Sequence, residues 1–162
     1  MWATAVTSAG LACGLKSFVL EEDVSWRSGL RSMLATAHRS LWSSRSPMAV
    51  RRRGSRSDAA VTELTSVDGI DLTYRTAGEA GLPVVVLLHA LGENSSDWNA
   101  VVEALAPADR VYALDLRGHE GSSQPGAYSL ELMRSDVLGF LHALDLDDVC
   151  LIRHSLGGAW RT

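Results

Sequence analysis

The chain has 162 residues, of which 46% are hydrophobic and 21% are charged. This length and composition are typical of one globular domain with a sizeable core, and no stretch approaches the roughly 20 apolar residues that a membrane-spanning helix needs. The net charge of −4 is unevenly distributed: residues 1–60 hold nine Lys/Arg and four Asp/Glu, whereas residues 61–162 hold six and fifteen. We therefore divide the chain into two regions, 1–60 and 61–162.

The first sixty residues are rich in serine and arginine, with the run RRRGSR at 51–56. This composition predicts a basic, disordered extension. One alternative is an organellar targeting segment, which the acidic residues at 21–23 disfavour; another is a nucleic-acid-binding arm, although no folded basic face is specified. Translation beginning at Met48 is a further alternative. We expect neither a nucleic acid nor a membrane as a partner.

The two cysteines, Cys13 and Cys150, lie far apart in the chain. Cys150 sits in the apolar run VCLI, which favours a buried thiol, and no spacing suits a metal site or a disulfide framework. We therefore expect no metal and a reducing, cytoplasmic compartment.

From Val61 onward, strand-like and helix-like segments alternate. The residues 67–78 predict two strands joined by a turn at Asp68 and Gly69. Continuous β-branched and aliphatic runs predict buried strands, and apolar residues three to four apart predict amphipathic helices. The predicted elements are a strand at 83–90, a helix at 95–105, a strand at 110–118, a helix at 129–144 capped by Ser129, and a strand at 148–155.

This order of elements predicts an α/β fold with a mostly parallel sheet and flanking helices. Ligand sites in such sheets gather at the carboxyl ends of the strands, which here read HALGEN (89–94), DLRGHEGS (115–122) and HSLGG (154–158). All three are rich in glycine, histidine or charge. The glycine patterns that bind dinucleotides or nucleotide phosphates are not found at these strand ends, so we expect no cofactor.

The stretch RHSLGG (153–158) places a serine between a predicted strand and a following helix. A tight turn there exposes the serine hydroxyl, and the next backbone N–H lies at the amino end of the helix. The three stretches HALGENSSDW (89–98), DLRGHEGSS (115–123) and RHSLGG together resemble the motifs of the α/β-hydrolase family over roughly residues 64–160. The resemblance implies an incomplete α/β-hydrolase fold.

The resemblance also implies the site residues. Ser155 would be the nucleophile, and the backbone N–H groups of Leu91 and Leu156 would form the oxyanion hole that stabilises a tetrahedral intermediate. The expected substrate is an ester, a lactone or a similar small-molecule carbonyl compound, and the serine disfavours the epoxide and alkyl-halide reactions of family members with a carboxylate nucleophile. The residues expected to shape the loops are His89, Gly92, Asp115, Gly118, His119, His154 and Gly157.

Three residues depart from the family pattern. Ala90 and Glu120 each replace a glycine, and Glu120 falls in a loop where a positive φ is expected. Arg153 replaces the glycine two residues before Ser155, so its long side chain must leave the turn sideways or distort it. In this family the acid and the histidine of the catalytic triad follow the serine, and only seven residues follow Ser155 here.

These departures lead to two hypotheses. The first is a serine hydrolase represented by its amino-terminal portion, truncated after the nucleophile turn and inactive in this form. The alternative is a non-catalytic fold fragment or interaction protein. We also expect the strand at VCLI to present an open apolar edge, which favours strand pairing with a partner or aggregation.

Overall fold

A computed structural model describes residues 60–155 in full, together with the backbone of two short strands near the amino terminus. The strands are β1 (Ala5–Val6), β2 (Lys16–Leu20), β3 (Val61–Val67), β4 (Ile70–Ala77), β5 (Val84–Leu88), β6 (Arg110–Leu114) and β7 (Cys150–His154). The helices are a short 3₁₀ helix (Ser95–Trp98), α1 (Asn99–Leu105) and α2 (Leu130–Ala143).

The predicted hairpin is confirmed and is longer than expected. Strands β3 and β4 pair in antiparallel register from Val61 opposite Thr76 to Val67 opposite Ile70. The two turn residues, Asp68 and Gly69, have φ angles of 49° and 80°. Two successive positive φ angles match the right-handed twist of the flanking strands, and Asp-Gly supplies them at low cost.

The predicted parallel sheet is also confirmed. Among the described strands the order across the sheet is β1-β2-β7-β5-β6-β4-β3. Strand β5 lies at the centre of the parallel part, with β6 on one side and β7 on the other. The pairs β4 with β6 and β3 with β4 are antiparallel, so the sheet is mixed. It therefore has the α/β architecture that the order of elements predicts.

Helices cover both faces of the sheet, which accounts for the continuous apolar strands. On one face, α1 and the 3₁₀ helix bury Trp98, Val101, Val102 and Leu105 against Val85, Leu87, Val111 and Ile152. On the other face, α2 buries Val137 and Phe140 against Val86, Leu88, Leu114 and Leu151. Burial of side chains of this size contributes roughly 1.5–3 kcal/mol each, so these two layers supply most of the driving force for folding.

The helices differ from prediction in one respect. The predicted helix at 95–105 begins as a 3₁₀ turn, which is stabilised at its start by Asn94 as the N-cap and by Asp97, whose side chain accepts from the Asn94 N–H in a capping box. Helix α2 begins as expected, with Ser129 accepting a hydrogen bond from the Leu132 N–H at 3.2 Å.

The prediction of an open edge at VCLI is wrong. Strand β2 runs parallel to β7 from Lys16 opposite Cys150 to Leu20 opposite His154. The backbone N–H and C=O groups of a buried strand require partners on both sides, and a segment from the other end of the chain provides them here. A wholly disordered extension is therefore also wrong for these residues.

The rest of the predicted extension, including the RRRGSR run at 51–56, lies outside the described residues. So do Leu156 and Gly157. In the part of the chain that the structure describes, no helix combines the length and the apolar character needed to cross a membrane.

Candidate active site

The carboxyl ends of the three central strands meet at one edge of the sheet. Leu88, the last residue of β5, lies opposite Leu114 of β6 and Arg153 of β7. The next residues along each strand are His89, Asp115 and His154, so the three segments predicted to form a site come together. We call this region the carboxyl edge.

The loop after β5 begins with a tight turn. The Glu93 N–H donates to the Ala90 carbonyl at 3.1 Å, and Gly92, the third residue of the turn, has a φ of 80°. This geometry is that of a type II turn, which requires a positive φ at its third position. The side chain of Leu91, the second residue, is 70% exposed. Gly92 therefore shapes the segment that carries the Leu91 N–H.

His89 is fully buried and holds two strand ends together. Its Nδ1–H donates to the Ala90 carbonyl at 2.8 Å, and its Nε2 accepts from the Leu116 N–H at 3.1 Å. Burial lowers the pKa of His89, and the nearby His119 lowers it further, while the bond to Ala90 opposes this. A neutral imidazole with both nitrogens bonded to backbone orders the loops and is not placed to move a proton.

Asp115 is buried and joins three elements through one carboxylate. Its Oδ1 accepts from the Ser95 N–H at 2.6 Å, and its Oδ2 accepts from the Thr73 hydroxyl at 3.0 Å. Ser122 completes the cluster: its hydroxyl donates to the Asp115 carbonyl at 2.7 Å and accepts from the Thr73 N–H at 2.9 Å. The negative charge at the first N–H of the 3₁₀ helix is also favourable. Asp115 thus ties the loop after β5 to β4.

Arg117 anchors the loop after β6 to helix α2. It forms a bidentate pair with Asp136, with both N–O distances at 2.5 Å, and its Nη1 donates to the Ala127 carbonyl at 3.2 Å. The side chains of Arg117 and Asp136 are 6% and 5% exposed. The hydrogen bonds that Arg117 donates to Asp136 raise the pKa of Arg117, although burial opposes them.

The remaining residues of this loop pack closely. His119 donates from Nδ1 to the Arg117 carbonyl at 3.1 Å, and its ring lies 4.7 Å from that of His89. Gly118 has a φ of 80°, and an added Cβ there would lie 2.5 Å from the Tyr128 ring. Glu120 has a φ of 42°, so the expectation of a positive φ at this position is confirmed.

Ser155 follows β7 directly at the carboxyl edge and has a φ of 46°. A positive φ is uncommon for serine and marks a strained turn. Ser155 has this φ although Arg153 precedes it. The Arg153 side chain is buried, and by strand alternation it lies on the face that holds Leu151, where burial lowers its pKa. Strand β7 therefore accommodates the arginine.

Sequence reasoning missed two residues of this region, Glu93 and Asp136. Glu93 Oε2 accepts from the Ala90 N–H at 3.1 Å and from the His154 Nδ1–H at 3.0 Å. No local pattern indicates this long-range contact. Asp136 could have been found from the sequence, because it is a charged residue beside Val137 in the apolar stripe of α2. A charge buried there requires a partner.

Among the fully described residues 60–155, no group of three or more His, Cys, Asp or Glu side chains is arranged to hold a metal ion. The polar groups of the carboxyl edge described above instead bond to backbone and to one another. Together they connect the loops after β5 and β6 to each other and to β4 and α2, next to Ser155.

Comparisons with known proteins agree with this architecture. Residues 83–160 match the family model for the alpha/beta hydrolase fold. An uncharacterised protein of Mycobacterium bovis is 37% identical over 97 residues, which cover 59% of this chain and 28% of that protein.

Two solved structures are similar in both sequence and fold. Epoxide hydrolase A from Mycobacterium thermoresistibile has a TM-score of 0.58 and 32% identity, covering 61% of this chain and 32% of that one. The enol-lactonase from Burkholderia xenovorans LB400 has a TM-score of 0.51 and 35% identity, covering 55% and 36%. The chain spans about a third of the length of these relatives.

Proposed function

We propose that the site of this chain, whose residues 83–160 match the family model for the alpha/beta hydrolase fold, hydrolyses an ester, lactone or similar carbonyl substrate through Ser155. The observation that carries the proposal is the position of this serine, which follows β7 at the carboxyl edge with a φ of 46°. A strained turn of this kind holds a nucleophile clear of the sheet.

The proposed reaction is an acyl transfer to water. The Ser155 hydroxyl oxygen attacks the carbonyl carbon, its proton passes to a base, and the alcohol group leaves with a proton as an acyl-serine forms. Water then attacks the acyl-serine and releases the acid. The Leu91 and Leu156 N–H groups stabilise the oxyanion of each tetrahedral intermediate, and a donor of this type contributes about 3 kcal/mol to the barrier reduction.

The base in this proposal is the histidine that follows the nucleophile in sequence in the family's triad. His89 is unsuited to the role because both of its nitrogens bond to backbone groups. Since the chain spans about a third of its relatives' length, the activity is proposed for the polypeptide that includes this histidine. Reading the coding DNA beyond the codon for Thr162 tests whether such a sequence follows.

Carbonyl substrates fit this site better than epoxides. One similar structure is an epoxide hydrolase and another is an enol-lactonase. A serine produces an acyl ester that water cleaves, whereas the epoxide and alkyl-halide reactions of this family use a carboxylate nucleophile. We therefore place this chain's substrate with the esters and lactones.

Fluorophosphonate labelling tests the nucleophile directly. The purified polypeptide that includes the triad histidine, its Ser155→Ala variant and a matched control, Ser96→Ala, are incubated with the probe and the labelled peptide is located by mass spectrometry. Ser96 is exposed at the start of the 3₁₀ helix, so its loss leaves the site intact. We expect labelling of the unmutated polypeptide and the control only. Labelling that persists in Ser155→Ala would assign the reactivity to another residue.

A second candidate is a non-catalytic interaction protein. The observation that favours it is Arg153, a buried arginine two residues before the serine, where the family motif has glycine. Labelling of Arg153→Gly separates the two hypotheses. Reactivity that appears only in this variant supports a site inactivated by the arginine, whereas equal labelling of both chains supports the hydrolase.

A further inference from the structure

The Glu93 carboxylate connects two segments of the carboxyl edge through a single oxygen. Oε2 accepts the N–H of Ala90, the first residue of the turn after β5, at 3.1 Å. The same oxygen accepts the Nδ1–H of His154, the last residue of β7, at 3.0 Å. Ala90 immediately precedes Leu91, and His154 immediately precedes Ser155. Glu93 therefore forms hydrogen bonds to the residue before the proposed oxyanion donor, Leu91, and to the residue before the proposed nucleophile, Ser155.

The surroundings keep Glu93 in its charged form. Burial raises the pKa of Glu93, but the hydrogen bonds from His154 and from the Ala90 N–H outweigh this effect, so its pKa is lower than usual. The ring of His119, from the loop after β6, lies 4.7 Å from that of His89 at a tilt of 59°. The His154 and Glu93 side chains are only 9% and 28% exposed, so solvent screens this contact weakly.

We propose that Glu93 is a positioning residue that sets the distance between the Leu91 N–H and the nucleophile turn. The proposal rests on the proposed function, because that distance matters for stabilising an oxyanion at Ser155. Without the bond between Glu93 and His154, the turn at 90–93 loses this side-chain link to the end of β7. A displacement of about 1 Å in such a site lowers the rate roughly 100-fold.

A merely structural role would lower stability and leave the chemistry unchanged, so the test measures reactivity in folded protein. Glu93→Gln keeps the shape of the side chain and removes its charge. The matched control is Glu103→Gln, an exposed glutamate on α1. In the polypeptide that includes the triad histidine, we expect Glu93→Gln to react with the fluorophosphonate probe about 10- to 100-fold more slowly than the unmutated protein. The control should react at the unmutated rate.

The second readout is independent of reactivity and uses amide NMR of the full chain. The Ala90 N–H signal should shift with pH as Glu93 ionises, with a midpoint below the ordinary glutamate value of 4.5. This titration should disappear in Glu93→Gln, and the Leu91 and Leu156 signals should move with it. His154→Gln tests the bond from its other end and should raise the midpoint seen at Ala90.

The outcomes separate this proposal from the proposed function. Equal labelling rates for Glu93→Gln and the unmutated chain would overturn the positioning role while leaving Ser155 as the nucleophile. If the unmutated polypeptide with the triad histidine does not label at Ser155, the proposed hydrolase fails and NMR decides the positioning role. A change in the chemical shifts of both the Leu91 and Leu156 amides in Glu93→Gln supports the positioning role, whereas a change at the Ala90 amide alone refutes it. Where Glu93→Gln does not fold, the same comparison is made with His154→Gln.

Discussion

Replacing Asp136 by asparagine should strongly destabilise the fold, because it leaves the Arg117 guanidinium buried without its carboxylate. The two side chains are 6% and 5% exposed and share a bidentate pair with both N–O distances at 2.5 Å. Removing one member of a buried pair costs about 3–5 kcal/mol, because the remaining charge is left in a region of low dielectric. Asparagine keeps the volume and one acceptor oxygen, so we expect a loss of about 3 kcal/mol.

A loss of this size is a large fraction of the roughly 5–15 kcal/mol by which a domain is stable. Urea unfolding followed by tryptophan fluorescence would measure it. For a slope of about 1–3 kcal/mol per molar urea, the midpoint should fall by about 1–3 M. The exposed Glu103→Gln on α1 is the control, and we expect it to unfold at the unmutated midpoint.

A double-mutant cycle distinguishes a specific pair from general damage to α2. Combining Asp136→Leu with Arg117→Leu removes both charges, so the double variant should be more stable than the sum of the two single losses indicates. We expect a coupling energy of about 2 kcal/mol or more. Strictly additive losses, or a loss below about 1 kcal/mol for Asp136→Asn, would refute the assignment of this pair as the anchor between α2 and the loop after β6.

Three further predictions concern the backbone at Glu120, the phenol of Tyr74 and the edge of the sheet at β7. Glu120→Gly should raise the free energy of unfolding by about 0.5–1 kcal/mol in urea, because Glu120 has a φ of 42°. Glu79→Gly, at an exposed position that requires no positive φ, should lower it by a similar amount. Burial, followed by a hydrogen bond to a glutamate, raises the pKa of Tyr74 from 10.0 to about 12. The stability that this shift contributes is fully present below pH 10.0 and is lost as the pH rises through about 12. Absorbance of the ionised phenol and unfolding free energies against pH, each compared with Tyr74→Phe, would detect it. Deleting residues 1–20 should expose the edge of β7 and cause aggregation visible by light scattering, and a monomeric variant would contradict the β2 pairing.

Local patterns predict the centre of this fold well because each strand there is covered on both faces. The run 83–90 contains β5, and the apolar spacing with Ser129 predicts α2 from its first residue. The turn at Asp68 and Gly69 is equally local, since the positive φ angles follow from the two residue types. Such elements are determined by residues within a few positions of one another.

The parts that sequence reasoning missed depend on distant partners. The five residues KSFVL of β2 carry no local signal for their pairing with β7. The contact between Glu93 and His154 joins residues 61 positions apart. Arg153 is a further example. The motif indicates a clash at this position, whereas the fold buries the side chain on the face of α2, and Ser155 still has a positive φ.

The pairing of β2 with β7 has a consequence for how the chain folds. These two strands lie about 130 residues apart in sequence, so their contact is among the least local in the molecule, and long loop closures slow folding. During synthesis at 5–20 residues per second, β2 leaves the ribosome on the order of ten seconds before β7 exists. Over that interval an apolar segment with unpaired backbone groups is exposed to chaperones. The segment that covers the edge of β7 in the finished protein is thus among the last to pair.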